Sequence, residues 1–486
     1  MGATPVTRSG ATPAPTQPNH EWKPWRDDSK TAKDLQGLAV SAYPEHLFAT
    51  VILVKFPASP TAKPNAWVAQ LAPRVTDASG PRPACVNVAF SAAGLTALGV
   101  KDDVLATFGL PFQEGMTTDD RARILGDQPA SWRWSDCAAN ANCVHAQLLV
   151  YALDQPSLDA FVTAEVTTLV SFGLIPAGNI QMRVHLGPNG KRFEHFGFAD
   201  GISQPILVDG KKIAVAQRAL HEIPAGEVVL GQINTYGQPA PGPLVPASPV
   251  AEQNLQPASL EGFFDLGLNG TYLVVRQLKQ DVAKFWNNMK FASTDLLDES
   301  GNSAPDEWVA QKAVGRTLTG DMLTPAGPVA GNDMTFFGPD PKGFGCPITS
   351  HVRRGNPRDG LAPTLSDTED MIHAANRHRI MRRGRIYGTP IVDRYTDDGE
   401  DRGLLFICMN SEINRQFEFV QHTWLLNPMF GSGYNESDPI LGLSCPFSIP
   451  SKPVRQQPVI DTFITPVGGG YFFLPSMSAL RYMGAL

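Results

Sequence analysis

Several large protein classes are excluded by what this sequence lacks. Its six cysteines are scattered with no C-x-x-C pair, which removes zinc ribbons and thioredoxin-like redox motifs. The first residues contain no apolar export segment, so a cytoplasmic location is expected, with Cys137 and Cys143 as reduced thiols rather than a disulfide. Basic residues are not in excess: the formal charge is -7, which argues against a nucleic-acid partner. No apolar run approaches bilayer-spanning length, so no membrane partner is expected either. The G-x-S-x-G elbow, the Walker loop, H-E-x-x-H and a helix-opening G-x-G-x-x-G are all missing, and hydrolase and nucleotide readings lose their main support.

What is present points to a large α+β protein. A chain of 486 residues exceeds one ordinary hydrophobic core, so two domain-sized units are expected. Residues 1–40 begin "MGATPVTRSGATPAPTQPNH" and read as a disordered tail. Residues 41–235 form a first α+β unit. Residues 236–262 carry prolines at 239, 241, 243, 246, 249 and 257 and read as an insertion or linker; residues 263–486 form the second unit. "HLFATVILVKF" and "HAQLLVYAL" read as strands, and "SLDAFVTAEVTTLVSFG" as a helix with Ser157 as N-cap. "GTYLVVRQLKQDVAKFWNNM" repeats the strand-then-helix order beyond the insertion. Ile413, Phe417, Val420 and Trp424 fall at helical spacing, with Ser411 near the start. The strand "GLLFICM" is almost wholly apolar, which requires burial on both faces or one face against an apolar ligand.

Chemistry is concentrated in three stretches. "FEHFGFADGISQP" holds Asp200 among small and aromatic residues; a buried acid is costly unless paired or used, although Asp-Gly is also a turn dipeptide. "CPITSHVRRGNPRDG" places His351 in an irregular, Gly- and Pro-punctuated turn. In "RHRIMRRGRIYG", Arg382 and Arg383 must face opposite ways on a strand, and an inward guanidinium needs an anion. His373 and His378 are five apart and cannot clamp a metal from one face; His195 reads as a network residue.

These stretches together resemble the dye-decolourising peroxidases, haem enzymes with two ferredoxin-like domains. Gly197 to Gly201 carries that family's G-x-x-D-G signature, "CPITSHVRRGNPRD" is similar to its proximal-histidine segment, and "RHRIMRRGRIYG" to its distal-arginine strand. "GLLFICMNSEI", "FEFVQHTW", "DPILG" and "GGGYFFLPSMSALR" follow in the family's order, so the likeness runs from about residue 46 to the C-terminus. The fold implied is α+β: two ferredoxin-like domains with antiparallel sheets packed sheet to sheet, of the dimeric α+β barrel type. The G-x-x-D-G motif would lie in residues 41–235 and the haem mainly in residues 263–486.

The resemblance also implies roles. His351 would be the axial ligand to the iron of haem b, its second ring nitrogen bonded to an acid, for which Asp438 and Glu418 are the candidates. Asp200 would move the peroxide proton and Arg382 would stabilise charge on the peroxide oxygens. An aspartate base implies an acidic activity optimum. Leu404 and Phe406 would roof the distal pocket, Ile202 and Ser203 would touch the haem edge, and Arg353 and Arg383 would pair with propionates. The implied activity is reduction of hydrogen peroxide with one-electron oxidation of phenols and bulky dyes through an oxoferryl intermediate. Trp286, Trp424, Tyr387 and Tyr434 are candidate electron relays, and a homo-oligomer is allowed. The competing readings are a haem-handling protein that stores haem or removes its iron, and an enzyme of this fold acting on another oxidant such as chlorite.

Overall fold

Nine principal strands build the framework of the computed structural model, which describes residues 29–80, 82–136, 142–187, 190–208 and 218–486. They are β1 (Phe48–Lys55), β2 (Ala84–Phe90), β3 (Ala146–Ala152), β4 (Ile175–Arg183), β5 (Thr271–Gln280), β6 (Met381–Arg382), β7 (Arg385–Tyr387), β8 (Gly403–Asn410) and β9 (Ile464–Leu474). The first half runs β-α-β-β-α-β through α1 (Pro64–Leu71) and α2 (Gln155–Ser171), with antiparallel strand order β4-β1-β3-β2. The second half repeats that order with β6 and β7 as one interrupted strand: β7-β8-β5-β9, with α3 (Val282–Ser293) after β5. Each half is thus ferredoxin-like, and the duplication is structural although no sequence repeat is visible.

The halves do more than stack. Arg183 and Met182 of β4 pair with Ile386 and Tyr387 of β7, and Phe90 of β2 pairs with Phe473 of β9, so the strands close into one ring. Strand alternation then divides the core. Val51, Leu149, Val275, Leu405, Ile407 and Phe472 fill the barrel interior. Ile52, Leu148, Val150 and Val274 face outward onto α1 and α2 through Trp67, Leu71, Leu158 and Leu169. On β8 the outward residues Leu404 and Phe406 are only half-buried. They front a cavity, which resolves why "GLLFICM" is apolar on both faces.

Three sequence expectations change. Only residues 1–28 of the supposed tail lie outside the described residues; Ser29–Asp34 is helical and Leu35, Leu38 and Ala39 are buried. Gln36 locks this segment down, donating to Val88 O (2.9 Å) and Pro475 O (2.8 Å) and accepting from Val88 N (2.9 Å). Residues 236–262 are not a bare linker, because Leu244–Pro246 and Gln256–Pro257 flank Phe263–Asp265 in a three-stranded sheet. Its prolines sit where no amide is required: Pro246 and Pro257 on edge strands, Pro249 in the first helical turn. Val245, Ala251 and Leu255 of this segment are buried in the outer core. Finally, α2 starts earlier than expected, capped by Asp154 Oδ1 accepting from Ser157 N (2.7 Å).

Cys137 lies outside the described residues, and Cys85, Cys346, Cys408 and Cys445 are free thiols. Among the described residues no helix is long and apolar enough to cross a membrane.

Candidate functional site: one cavity on the outer face of the second half

The loop after β4 is shaped by its glycines and by one acid. Gly197 (φ 93°) and Gly201 (φ 78°) adopt left-handed conformations that side chains resist, and Ser203 (φ 63°) adopts one despite its side chain. The Glu194 carboxylate accepts from Phe196 N and Phe198 N, both at 2.9 Å, and from Gln280 Nε2 of β5 at 2.8 Å, tying the loop to the barrel. Burial pushes the Glu194 carboxyl up to about 7 despite these donors, and the Asp200 charge adds to the rise. Asp200 is held locally, with Gly201 N donating to its Oδ1 at 2.6 Å. It is therefore both a turn cap and a cavity residue, and it is half-buried rather than buried, because three cavities meet at it.

One of these, of about 310 Å³, is within the range of small-molecule and cofactor sites. Asp200, Ile202, Ser203, His351, Arg382, Leu404 and Phe406 all line it. His351 opens the short helix α4 (His351–Gly355). Its Nδ1 lies 3.1 and 3.0 Å from the two oxygens of Asp438, leaving Nε2 as the ring nitrogen for the cavity. Asp438 is fully buried and also accepts from Ile440 N (2.9 Å) and Leu441 N (2.8 Å). Burial alone would raise its pKa, but His351, the Leu441 amide and Arg354 outweigh it, and the carboxyl lies below the usual range. Glu418, the other acid considered for this histidine, is taken by Arg121 Nη1 (2.8 Å) and Tyr471 OH (2.8 Å).

Arg382 faces the cavity from β6, where it pairs with Cys408 and so shares the outward face of β8 with Leu404 and Phe406. Its Nη2 donates to Ile202 O at 2.6 Å, and the guanidinium is held by the motif backbone rather than by the Asp200 carboxylate. Arg383 points the other way, donating to Leu38 O (3.0 Å) and Ala39 O (3.5 Å). Arg353, two residues after His351 and so across the helix from it, stacks on Phe336 and donates to Asp340 O (2.9 Å) and Cys346 O (3.0 Å). Neither Arg353 nor Arg383 lines the His351 cavity, so the expectation that they serve its ligand is corrected.

Other arginines stand there instead. Arg316, Arg358 and Arg379 line the cavity with Arg382, and their hydrogen bonds go to neutral oxygens: Gly320 O and Asn332 Oδ1 for Arg316, Met334 O and Ser203 Oγ for Arg358, Ser203 O and Leu220 O for Arg379. Burial, reinforced by mutual repulsion, pulls Arg379 down to about 9 and Arg358 to about 10. By contrast Arg276, also at the cavity, is paired with Asp127. Arg316, Arg358 and Arg379 come from three separate segments. The only local signal was the basic density of "RHRIMRR".

Aromatic residues surround this centre. His378 lines the cavity, stacks on Phe419 at 3.8 Å and lies 5.2 Å from the Trp424 ring. Phe417, Val420 and Gln421 reach the cavity from two π-helical stretches, Asn414–Glu418 and Val420–Leu425, within the segment expected as a helix. Gln416 Oε1, accepting from Ser411 N (3.0 Å), closes its start. Trp286 Nε1 donates to Phe196 O (3.2 Å); Tyr387 is buried and Tyr434 is 74% exposed. His195 bonds Tyr387 O (2.7 Å), not Asp200. Among the described residues no group of His, Cys, Asp and Glu is placed to hold a metal ion by itself.

Known proteins share this architecture. The family model described as the DyP dimeric alpha+beta barrel domain matches residues 70–174. A dye-decolorizing peroxidase of Mycena epipterygia is 29% identical over 445 residues, covering 82% of this chain and 76% of the relative. The multifunctional dye peroxidase DyP2 of an Amycolatopsis strain is 30% identical over 319 residues, 60% of this chain and 61% of the relative. The solved structure of an Anabaena DyP-type peroxidase superposes with a TM-score of 0.75 at 22% identity over 94% of this chain and 95% of that one. That of an ancestral D-type dye decolorizing peroxidase gives 0.72 at 25% identity over 93% and 98%. Fold and site together define a peroxidase of the dimeric α+β barrel class. In sequence and fold the chain is similar to the dye-decolourising peroxidases, whose members are haem peroxidases.

Proposed function

We propose that this peroxidase would hold haem b in the cavity through His351 Nε2, and that it reduces hydrogen peroxide while oxidising phenols and bulky dyes one electron at a time. The observation that carries the reading is the joint lining of one cavity by His351, which is bonded to Asp438, by Asp200 and Arg382, and by arginines without carboxylate partners. An iron porphyrin fits these residues: one imidazole nitrogen is available, Leu404, Phe406 and Val352 offer apolar contact, and Arg316, Arg358 and Arg379 offer charge to carboxylate substituents. Haem, when bound, supplies the electrons that split peroxide and recovers them from the reductant.

This chain's own residues supply binding and proton handling. Asp438 accepts the Nδ1 proton of His351, which fixes the tautomer and raises the basicity of Nε2. Asp200, as carboxylate, takes the proton from one peroxide oxygen and returns it to the other. Arg382, anchored on Ile202 O, stabilises the negative charge that develops on those oxygens. In balance, one hydrogen peroxide and two reductant molecules give two waters and two reductant radicals, each reductant losing one electron and one proton. A bulky dye needs a route for electrons, and the His378–Phe419–Trp424 ring contacts are the path from the cavity in this proposal.

The test is the ultraviolet-visible spectrum of haem-reconstituted protein before and after one equivalent of hydrogen peroxide, then after a phenol or dye. A ferric Soret band that changes with peroxide and returns with reductant supports the reading. A band indifferent to peroxide would favour haem handling; deferrochelatase of Escherichia coli matches about a third of this chain at 26% identity. No Soret band would remove His351 from its role.

A further inference from the structure

A second cavity, of about 130 Å³, adjoins the first and shares Asp200, Arg382, Leu404 and Phe406 with it. Five arginines line this small space, Arg183, Arg192, Arg382, Arg383 and Arg385, and Asp200 is the one carboxylate among its lining residues. Their hydrogen bonds go to backbone carbonyls. Arg183 Nη2 donates to Gly388 O (2.9 Å), Arg192 Nη2 to Pro44 O (3.2 Å) and Arg383 Nε to Leu38 O (3.0 Å). Arg385 donates to His46 O, to Ala42 O (3.0 Å) and to Tyr43 O (3.1 Å). A carbonyl satisfies an N–H but carries no net charge, so among the lining residues five arginines stand against a single carboxylate. Burial is severe enough to pull Arg383 and Arg385 down to about 10. Uncompensated like charges at this separation from water are costly unless an anion joins them.

The cluster is a product of the fold. Strands β6 and β7 are interrupted at Gly384, where a Cβ would lie 2.5 Å from Leu405 O, so only glycine lets the chain pass this close to β8. Arg383 and Arg385 flank that point, and Arg183 comes from β4 at the seam where the two halves pair through Ile386. Arg192 approaches from the loop before the G-x-x-D-G motif. Guanidinium groups present forked donors that match the paired oxygens of a carboxylate or phosphate.

We propose that this second cavity is a binding site for a small oxyanion, a carboxylate or an inorganic phosphate, held by Arg183, Arg192, Arg383 and Arg385. The four arginines that would hold the ion are distinct from the peroxide-handling pair Asp200 and Arg382, which the two cavities share, and the occupant is a soluble ion small enough for the space.

Isothermal titration calorimetry of the full-length holoprotein at low ionic strength tests it, with sodium phosphate and sodium oxalate titrated separately. The expected result is saturable binding near one ion per chain for at least one anion. Affinity should fall roughly tenfold or more in Arg183→Gln/Arg192→Gln, whose two half-buried arginines each hold one carbonyl and take no part in the peroxide chemistry. Phosphate binding alone identifies an inorganic occupant, and oxalate binding alone a carboxylate. The Soret band and thermal midpoint of the variant report whether it is folded; if it is not, Arg192→Gln alone is titrated. Absence of saturable binding to either anion, or undiminished affinity in the folded variant, overturns the proposal.

Discussion

His351 and Asp438 lie 87 residues apart in the chain and meet through both carboxylate oxygens, at 3.1 and 3.0 Å from Nδ1. The acid in turn accepts two amides, from Ile440 and Leu441, so its position is fixed independently of the histidine. An anionic acceptor on Nδ1 makes Nε2 a stronger donor to iron. Asp438→Asn keeps the shape and removes the charge. The reduction potential of bound haem should rise, and haem affinity or peroxidase activity should fall roughly 10–100-fold. Spectroelectrochemistry on the reconstituted variant measures the first, and an unchanged potential would count against the couple.

Asp200→Ala removes the proposed proton carrier but leaves the arginines and His351 in place. Peroxide-dependent kcat/KM should drop by roughly 10²–10⁴-fold with the ferric Soret band retained. Stopped-flow mixing with peroxide isolates this step from reductant oxidation. Unaltered kinetics would remove Asp200 from the mechanism.

Arg358 and Arg379 carry charge to the cavity without a carboxylate of their own. Replacing either by Gln should weaken haem binding by about 10–100-fold, the value of a charge-assisted hydrogen bond. Arg353→Gln should leave haem affinity nearly unchanged and lower the thermal midpoint instead, since Arg353 serves Asp340, Cys346 and Phe336. Haem titration and thermal melts of the three variants separate the two roles.

Asp136 is buried and accepts from Met116 N and Tyr471 N. Burial pushes its carboxyl up to about 6, against those amides. A carboxyl whose folded pKa is raised binds more protons folded than unfolded between about 4 and 6. Its contribution therefore favours the fold in acid and is lost as pH rises through that window, by about 3 kcal/mol in all. Asp136→Asn should flatten that part of the stability profile, measured by denaturant titration from pH 4 to pH 7.

Leu255 is buried against the outer core from within residues 236–262. Leu255→Ala should cost about 2–5 kcal/mol, as for a core leucine. A linker residue would give almost no change in the denaturant midpoint.

Local features were legible from sequence because they depend on few neighbours. Gly197, Asp200 and Gly201 form one turn whose backbone needs those residues, and the apolar strand at 403–409 announced that both of its faces were covered. The opposed directions of Arg382 and Arg383 followed from strand alternation alone. Residues 29–40 and 236–262 were misjudged because proline and polar content describe the chain's local preference. Buried contacts of Leu35, Leu38, Val245 and Leu255 with a distant core override it.

By itself, then, the sequence determined the strands and helices of two α+β halves, the motif turn, and the identity of the histidine, aspartate and arginine that carry the proposed chemistry. Tertiary structure decided which acid serves His351, because Asp438 and Glu418 are equally apt as residues and only the second is engaged by Arg121 and Tyr471. It also decided which arginines face the cavity. Arg316, Arg358 and Arg379 reach it from three points on the chain, and charge at a site is a sum over whatever the fold brings near, which no local pattern encodes.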